Sequence, residues 1–183
     1  TYNEDGNVVG TTATGNESAS VEYMPDNVRP KKVRKSETEV YYYQYNESNK
    51  YLPTIIRNDN TKVYTKYNYD NCGNIIEMEI GKLNSNNEIT SNPKLISTTM
   101  YSPDGSLIKE VTNANGQTII YDYNNHRNLV QTTDENLTTV VSLPDSLNDR
   151  PFTSYISGVV SVVYSYNGGI LSRITRGGFI TGN

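Results

Sequence analysis

Short stretches in which apolar and polar residues alternate run along most of the chain, and clusters of Gly, Asn, Asp and Ser separate them. A period of two is typical of β-strands, and no stretch keeps apolar residues at helical spacing over three turns. The pattern therefore predicts an all-β protein. The predicted strands cover 39–46, 51–57, 62–69, 74–82, 95–101, 106–112, 117–123, 128–134, 137–143, 150–156, 159–166 and 170–176.

A motif that begins with Tyr and reaches a turn residue four positions later recurs along the chain. Clear copies occupy 2–8 (YNEDGNV), 69–75 (YDNCGNI), 101–107 (YSPDGSL) and 123–129 (YNNHRNL), and weaker copies begin at Tyr23, Tyr45 and Tyr166. From Tyr2 to Tyr69 the copies are 21, 22 and 24 residues apart. The spacing predicts a single array over 1–183 of about eight units of 21–24 residues, with an exposed insertion loop near 84–93 and a degenerate unit near 143–156.

The recurring positions of the motif have physical reasons. Gly6, Gly73 and Gly105 stand four residues after the Tyr, where a tight hairpin turn demands the positive φ that Gly tolerates. Arg127 holds the same position, which predicts a wider turn there. A second turn half a period later, marked by Gly116, predicts two strands and two turns in each unit, and hence a long antiparallel ribbon of β-hairpins.

Tyrosine supplies much of the apolar surface, since 34% of the residues are hydrophobic and the chain has 16 Tyr, 2 Phe and no Trp. A second Tyr often stands two residues before the motif Tyr, and residues two apart share a strand face. This predicts a ladder of rings on one face, either as the core between hairpins, which we favour, or as a platform for sugars. The predicted stacking residues are Tyr2, Tyr45, Tyr67, Tyr69, Tyr101, Tyr121, Tyr123 and Tyr166.

Charge and cysteine content exclude several classes of protein. The formal net charge is -4 and the pI is near 5.0, which argues against a nucleic-acid partner. Cys72 is the single cysteine, so an internal disulfide framework is excluded. No apolar run approaches the length of a membrane span.

The residues that could serve catalysis or metal binding all fall at repeat turns. Cys72 and His126 hold the same turn position in two copies, and a nucleophilic pair would need them within hydrogen-bond reach. One His and one Cys are too few for zinc. Asp5, Asp26 and Asp104 recur at one turn position, which favours turn capping, with calcium binding as the alternative. We therefore predict no catalytic residue, metal or cofactor, and a protein that is not an enzyme.

A basic run is formed by Arg29, Lys31, Lys32, Arg34 and Lys35. It could bind an anionic polysaccharide or a nucleic acid. Two glutamates follow directly, and charged residues are also typical of a strand edge protected against pairing. We favour the second interpretation.

The pattern Tyr-Asp-x-x-Gly-x-(Leu/Ile), repeated at about 21 residues, resembles the YD repeat of Rhs proteins, and 101–134 (YSPDGSLIKEVTNANGQTIIYDYNNHRNLVQTTD) is most similar to it. That family includes bacterial Rhs toxins, shell components of insecticidal toxin complexes, wall-associated proteins and teneurins. The resemblance implies a β-sheet ribbon that winds into a hollow shell around a C-terminal toxin or effector. The given sequence contains neither the Asp-Pro-x-Gly-Leu motif near which such shells cleave themselves nor an effector, so the resemblance predicts that it corresponds to part of a shell wall.

The sequence thus predicts a structural repeat segment of an Rhs-type shell, in the form of a curved ribbon. Its partners would be the remainder of the parent polypeptide, namely further repeats and an enclosed effector, and its location secreted or at the cell surface. The alternative is an extracellular, adhesin-like binding module that recognises a glycan or another protein.

Overall fold

All regular secondary structure in the described part of the chain is β-strand, which confirms the predicted fold class. The computed structural model describes residues 1–12, 18–47, 50–90, 92–136, 139–144, 151–156 and 160–177. The strands are β1 (Gly10–Thr12), β2 (Ser18–Tyr23), β3 (Pro30–Arg34), β4 (Val40–Gln44), β5 (Ile55–Asn58), β6 (Val63–Tyr69), β7 (Ile75–Lys82), β8 (Lys94–Tyr101), β9 (Ile108–Asn113), β10 (Thr118–Tyr123), β11 (Leu129–Asp134), β12 (Thr139–Pro144), β13 (Pro151–Ile156), β14 (Val160–Asn167) and β15 (Ile170–Arg176). The described residues contain no helix capable of spanning a membrane.

The chain divides into two compact units, Thr1–Thr98 and Thr99–Asn183. In the first unit, β1 to β8 form an antiparallel sheet in which every strand pairs with the next one along the chain. In the second unit, β9 to β15 follow the same rule. Both sheets are open meanders of hairpins, and the single array over 1–183 stays a prediction.

Every strand predicted from the sequence overlaps an observed strand, from β4 to β15. The prediction missed β1, β2 and β3, because their sequences are short, polar or basic and lack a clear alternation of apolar residues. The insertion near 84–93 begins with an ordered turn: Leu83 and Ile89 form an isolated antiparallel bridge across it. In the degenerate unit near 143–156, β12 pairs with β13, and residues 145–150 lie outside the described part.

One row of residues crosses six strands of the first unit, from β2 to β7. Its members, each directly opposite the next, are Glu22, Lys32, Tyr42, Arg57, Tyr64 and Gly81. Lys32 Nζ lies 2.9 Å from the Glu22 carboxylate and 5.6 Å from the Tyr42 ring centroid. Arg57 covers the same ring at 5.2 Å. Cross-strand pairs of this kind stabilise sheets, and cations over an aromatic face add to them.

Few side chains are deeply buried. In the described part, Tyr64 and Leu83 are the buried hydrophobic residues, with 1% and 7% exposure. Tyr64 reaches this burial by lying across Gly81, where a methyl group added to the glycine would come within 2.4 Å of the ring. Asn58 is also buried, and its Oδ1 accepts the backbone amides of Asn60 and Thr61. The fold therefore depends on pairing and side-chain contact between neighbouring hairpins more than on a central core.

Candidate functional site

The turn after the motif tyrosine has the same backbone geometry in the copies that begin at Tyr2, Tyr69 and Tyr123, and it is one residue longer in the copies that begin at Tyr23 and Tyr101. At Asp70, the amide donates to the Asn74 carbonyl at 2.9 Å, and the Asp70 carbonyl accepts the Gly73 amide at 3.1 Å. The equivalent bonds begin at Asn3 and Asn124, and two turns outside the motif, at Asn84 and Asn113, close in the same way. The fourth residue of these turns is left-handed, with φ of 79° at Gly6, 88° at Gly73 and 83° at Gly116. This is the three-residue hairpin loop that ends in a left-handed residue.

The residue directly after the motif tyrosine caps this turn with its side chain. Asp70 Oδ1 accepts the amides of Cys72 at 2.9 Å and Asn74 at 2.8 Å. Asn124 caps its own turn in the same way. A hydrogen bond from the Asn74 side chain, followed by these amides, lowers the pKa of Asp70 below its usual value. The Asp of the Tyr-Asp pair therefore caps the turn. The sequence had predicted this role for the aspartates three residues after the motif tyrosine.

The three aspartates that stand three residues after a motif tyrosine, Asp5, Asp26 and Asp104, make different hydrogen bonds. Asp26 Oδ1 accepts the amides two and three residues ahead, and the Arg29 amide is the main cause that lowers the pKa of Asp26 to about 2. Hydrogen bonds from neighbouring serine hydroxyls hold the pKa of Asp104 well below its usual range. Asp5 instead accepts a bond from the Asn27 side chain at 2.6 Å. Within the described residues, no group of three or more His, Cys, Asp or Glu could hold a metal ion.

The wider turn predicted at Arg127 is wrong. Arg127 adopts φ of 66°, its amide donates to the Asn124 carbonyl at 2.9 Å, and the Asn124 amide donates to Asn128 at 3.0 Å. This is the turn that the copies with Gly6 and Gly73 make. Arg127 Nη2 lies 3.2 Å from Asp104 Oδ2, so its side chain contacts the turn of the preceding copy.

The motif tyrosines hydrogen-bond back to the preceding unit. In four copies the hydroxyl donates to a backbone carbonyl 15 or 16 residues earlier, which lies at the start of the strand that follows the preceding turn or two residues before it. The pairs are Tyr23 with Val8 at 3.0 Å, Tyr45 with Pro30 at 2.9 Å, Tyr69 with Pro53 at 2.8 Å, and Tyr123 with Ile108 at 2.9 Å. Burial raises the pKa of Tyr45, Tyr69 and Tyr123, so the donating proton is retained at neutral pH. We call this contact the tyrosine latch.

A face of the first unit carries several tyrosine rings. The rings of Tyr67 and Tyr69 are stacked with centroids 6.4 Å apart and planes at 28°. Tyr41, Tyr43 and Tyr67 line an open groove of about 420 Å³ on this face. Lys35 Nζ lies 5.3 Å from the Tyr41 ring centroid at the same groove.

The basic run is largely engaged within the sheet. Arg29 pairs with Asp26 and covers the Tyr45 ring at 5.2 Å. Lys32 belongs to the charged row described above, and the Glu22 carboxylate raises the pKa of the Lys32 ammonium. These contacts favour a structural role for the run over a polyanion site.

The remaining predicted residues have less specific surroundings. Tyr2 is 71% exposed and forms a bridge with Val8. The half-buried Tyr101, Tyr121 and Tyr166 lie on β8, β10 and β14. Cys72 and His126 are exposed in their turns. The assignment of the turn and stacking residues as the functional set stays a prediction. Sequence reasoning missed the acceptors of the tyrosine hydroxyls, although the constant separation of motif tyrosine and preceding turn was a signal for them.

Comparison with known proteins agrees with this geometry. Residues 101–139 match the RHS repeat family model, and no curated protein sequence matches the chain. The crystal structure of TcdB2-TccC3 without its hypervariable C-terminal region aligns with 95% of this chain at a TM-score of 0.71 and 14% identity. The TcdB2-TccC3-Cdc42 crystal structure aligns with 94% at 0.55 and 12%.

This chain spans only 10% and 11% of those solved chains. At such low identity the alignments establish a shared fold. Together with the family match they confirm the resemblance that the tyrosine spacing predicted: residues 101–139 match the RHS repeat, in a chain that shares its fold with the TcdB2-TccC3 structures.

Proposed function

We propose that this chain is a wall segment of an Rhs-type shell, whose parent protein encloses and helps deliver a C-terminal toxin or effector. The observation that carries the proposal is the repeated tyrosine latch between consecutive hairpins. At four motif tyrosines it joins a unit to the one before, and this supports a sheet that grows as units are added in sequence.

The distribution of burial supports a wall in preference to a globular domain. In the described part, deep burial of hydrophobic side chains is limited to Tyr64 and Leu83, while most strand residues are half-buried. When each unit contacts mainly its neighbours, stability is a sum of unit and interface terms, and the array tolerates extension. A wall acts by its geometry, so we assign no catalytic role to the repeats. Partners would be the rest of the parent polypeptide, and the location secreted or at the cell surface.

The test uses the natural polypeptide that contains this segment. We expect cryo-electron microscopy to show a hollow particle with the segment in its wall, and limited proteolysis to leave the enclosed C-terminal part intact. The double variant Tyr45→Phe and Tyr69→Phe loses both latches, so proteolysis of the enclosed C-terminal part should be faster than in the wild type. Phenylalanine at the exposed Tyr2 is the matched control and should have no effect. A particle without an internal space would refute the proposal.

The second candidate is a binding module for a glycan. It is favoured by the groove lined by Tyr41, Tyr43 and Tyr67, since aromatic faces are suited to stacking on sugar rings. A glycan array with the isolated chain separates the two candidates. Binding of a defined glycan that Tyr43→Ala abolishes and Tyr2→Ala preserves would support the module. An absence of tyrosine-dependent binding is expected for a wall.

A further inference from the structure

Four residues of the described part adopt a left-handed backbone without being glycine. They are Asn27 with φ of 56°, Lys62 with 58°, Asn87 with 65° and Arg127 with 66°. Non-glycine residues with positive φ are uncommon, and Lys and Arg have no side-chain bond to their own turn that would favour it. Glycine occupies the same kind of position at Gly73 and Gly116. Asn adopts this conformation readily, so Lys62 and Arg127 are the positions at which a side-chain contact must compensate for the less favourable backbone.

All four side chains contact the turn of a neighbouring unit. Lys62 Nζ donates to Asn87 Oδ1 at 2.5 Å and to the Ser85 carbonyl at 3.3 Å, which joins two of the four residues to each other. Asn27 Nδ2 donates to Asp5 at 2.6 Å. Arg127 pairs with Asp104, as described above.

Further side chains make links of the same kind along both turn edges. Asn7 Nδ2 donates to the Asn27 carbonyl at 2.6 Å, and Arg29 Nη1 donates to the Lys50 carbonyl at 2.8 Å. On the opposite edge, Asn60 Nδ2 donates to the Glu37 carbonyl at 2.9 Å. In the second unit, Gln117 Nε2 donates to Glu135 at 2.6 Å. The partners are 18 to 23 residues apart, which is about one repeat.

We propose that the non-glycine residues at left-handed positions are register clasps, which fix each hairpin against the turn of the neighbouring hairpin of the same array. Backbone pairing alone specifies register weakly in polar strands, because a slip of two residues keeps every side chain on its own face. A side chain that spans from one turn to the next is lost on such a slip. The inference goes beyond the wall proposal, since it applies to any array of these hairpins, hollow or not.

The test compares Arg127→Gly with Asn125→Ala in the full chain by amide hydrogen exchange. Glycine suits a φ of 66°, so the amides of the variant's own turn should stay protected. In the preceding turn, exchange at the Gly105 and Leu107 amides should rise about two- to fivefold, as expected for loss of an exposed ion pair. Asn125→Ala changes the same turn without removing a clasp and should leave those amides unchanged.

Salt provides a second readout. Added salt should raise exchange in the preceding turn of the wild-type chain and have no such effect in Arg127→Gly, because exposed charges are screened. Lys62→Gly should likewise raise exchange at the Asn87 and Glu88 amides. If Arg127→Gly and Lys62→Gly protect their own turns and leave the neighbouring turn unchanged, the clasp proposal is wrong.

Discussion

Replacing Gly81 by alanine tests how Tyr64 is buried. Gly81 is the last residue but one of β7 and lies directly opposite Tyr64, and no positive φ forbids a side chain there. An added methyl would approach Cε1 and Cζ of the Tyr64 ring to 2.4 Å and its hydroxyl oxygen to 2.5 Å. These distances are well below van der Waals contact, so the Tyr64 ring must move out of its position over the glycine.

The expected loss follows from two opposing effects. Overpacking of a filled site costs about 1–3 kcal/mol, and complete release of a buried aromatic side chain forfeits about 1.5–3 kcal/mol. In the other direction, alanine restricts the unfolded chain more than glycine does, which is worth about 0.4–1 kcal/mol. The steric effect is the larger one. We expect Gly81→Ala to lower the free energy of local unfolding of β6 and β7 by about 1–2 kcal/mol.

The assay is hydrogen exchange of the β6 and β7 amides, with the ring resonances of Tyr64 recorded in the same samples. The matched background is Tyr64→Ala, in which the ring is absent and Gly81→Ala should stabilise slightly. The difference between the two backgrounds isolates the steric contact. If Gly81→Ala raises protection in the wild-type background and leaves the Tyr64 resonances in place, the reasoning fails.

Two further predictions concern the latch and the turn. Tyr69→Phe removes the 2.8 Å hydrogen bond to the Pro53 carbonyl and should lower the free energy of unfolding by about 0.5–1.5 kcal/mol. Tyr2→Phe changes an exposed ring and should leave the free energy of unfolding unchanged. If thermal unfolding shows equal losses for the two variants, the latch has no stabilising role. The pKa of Asp26 is lowered from 3.8 to about 2, mainly by the hydrogen bond from the Arg29 amide. The stability that the ionised Asp26 carboxylate contributes is therefore present above pH 3.8 and is lost as the pH falls toward 2. Asp26→Asn should remove that part of the acid transition, and an NMR titration showing an ordinary pKa would contradict it.

The strands and turns that recur along the chain could be predicted from the sequence, because each depends on residues a few positions apart. Alternation of apolar residues located β4 to β15, and glycine four residues after tyrosine located the left-handed turn positions at Gly6, Gly73 and Gly105. Hairpins bring nearby residues together, so short-range patterns determine them. Where the pattern faded, at β1 to β3, strands form because they pair with a neighbour and not because of their own propensity.

Arg127 shows where local reasoning failed. By propensity alone an arginine disfavours a left-handed conformation, and a wider turn followed as the expectation. The structure retains the turn, with the Arg127 side chain placed against Asp104 of the preceding copy. That partner lies 23 residues away, beyond the reach of any turn rule, and only the packing of hairpins reveals it.

By itself, the sequence determined the β class, the period of the units and the chemistry of the turns, since these depend on residues a few positions apart. The tertiary structure decided which carbonyl each tyrosine hydroxyl reaches, why Tyr64 lies over Gly81, and which turn side chains join neighbouring units. These contacts connect residues about one repeat apart. They exist only after the strands have paired in register, because pairing brings those atoms within a few ångströms of one another.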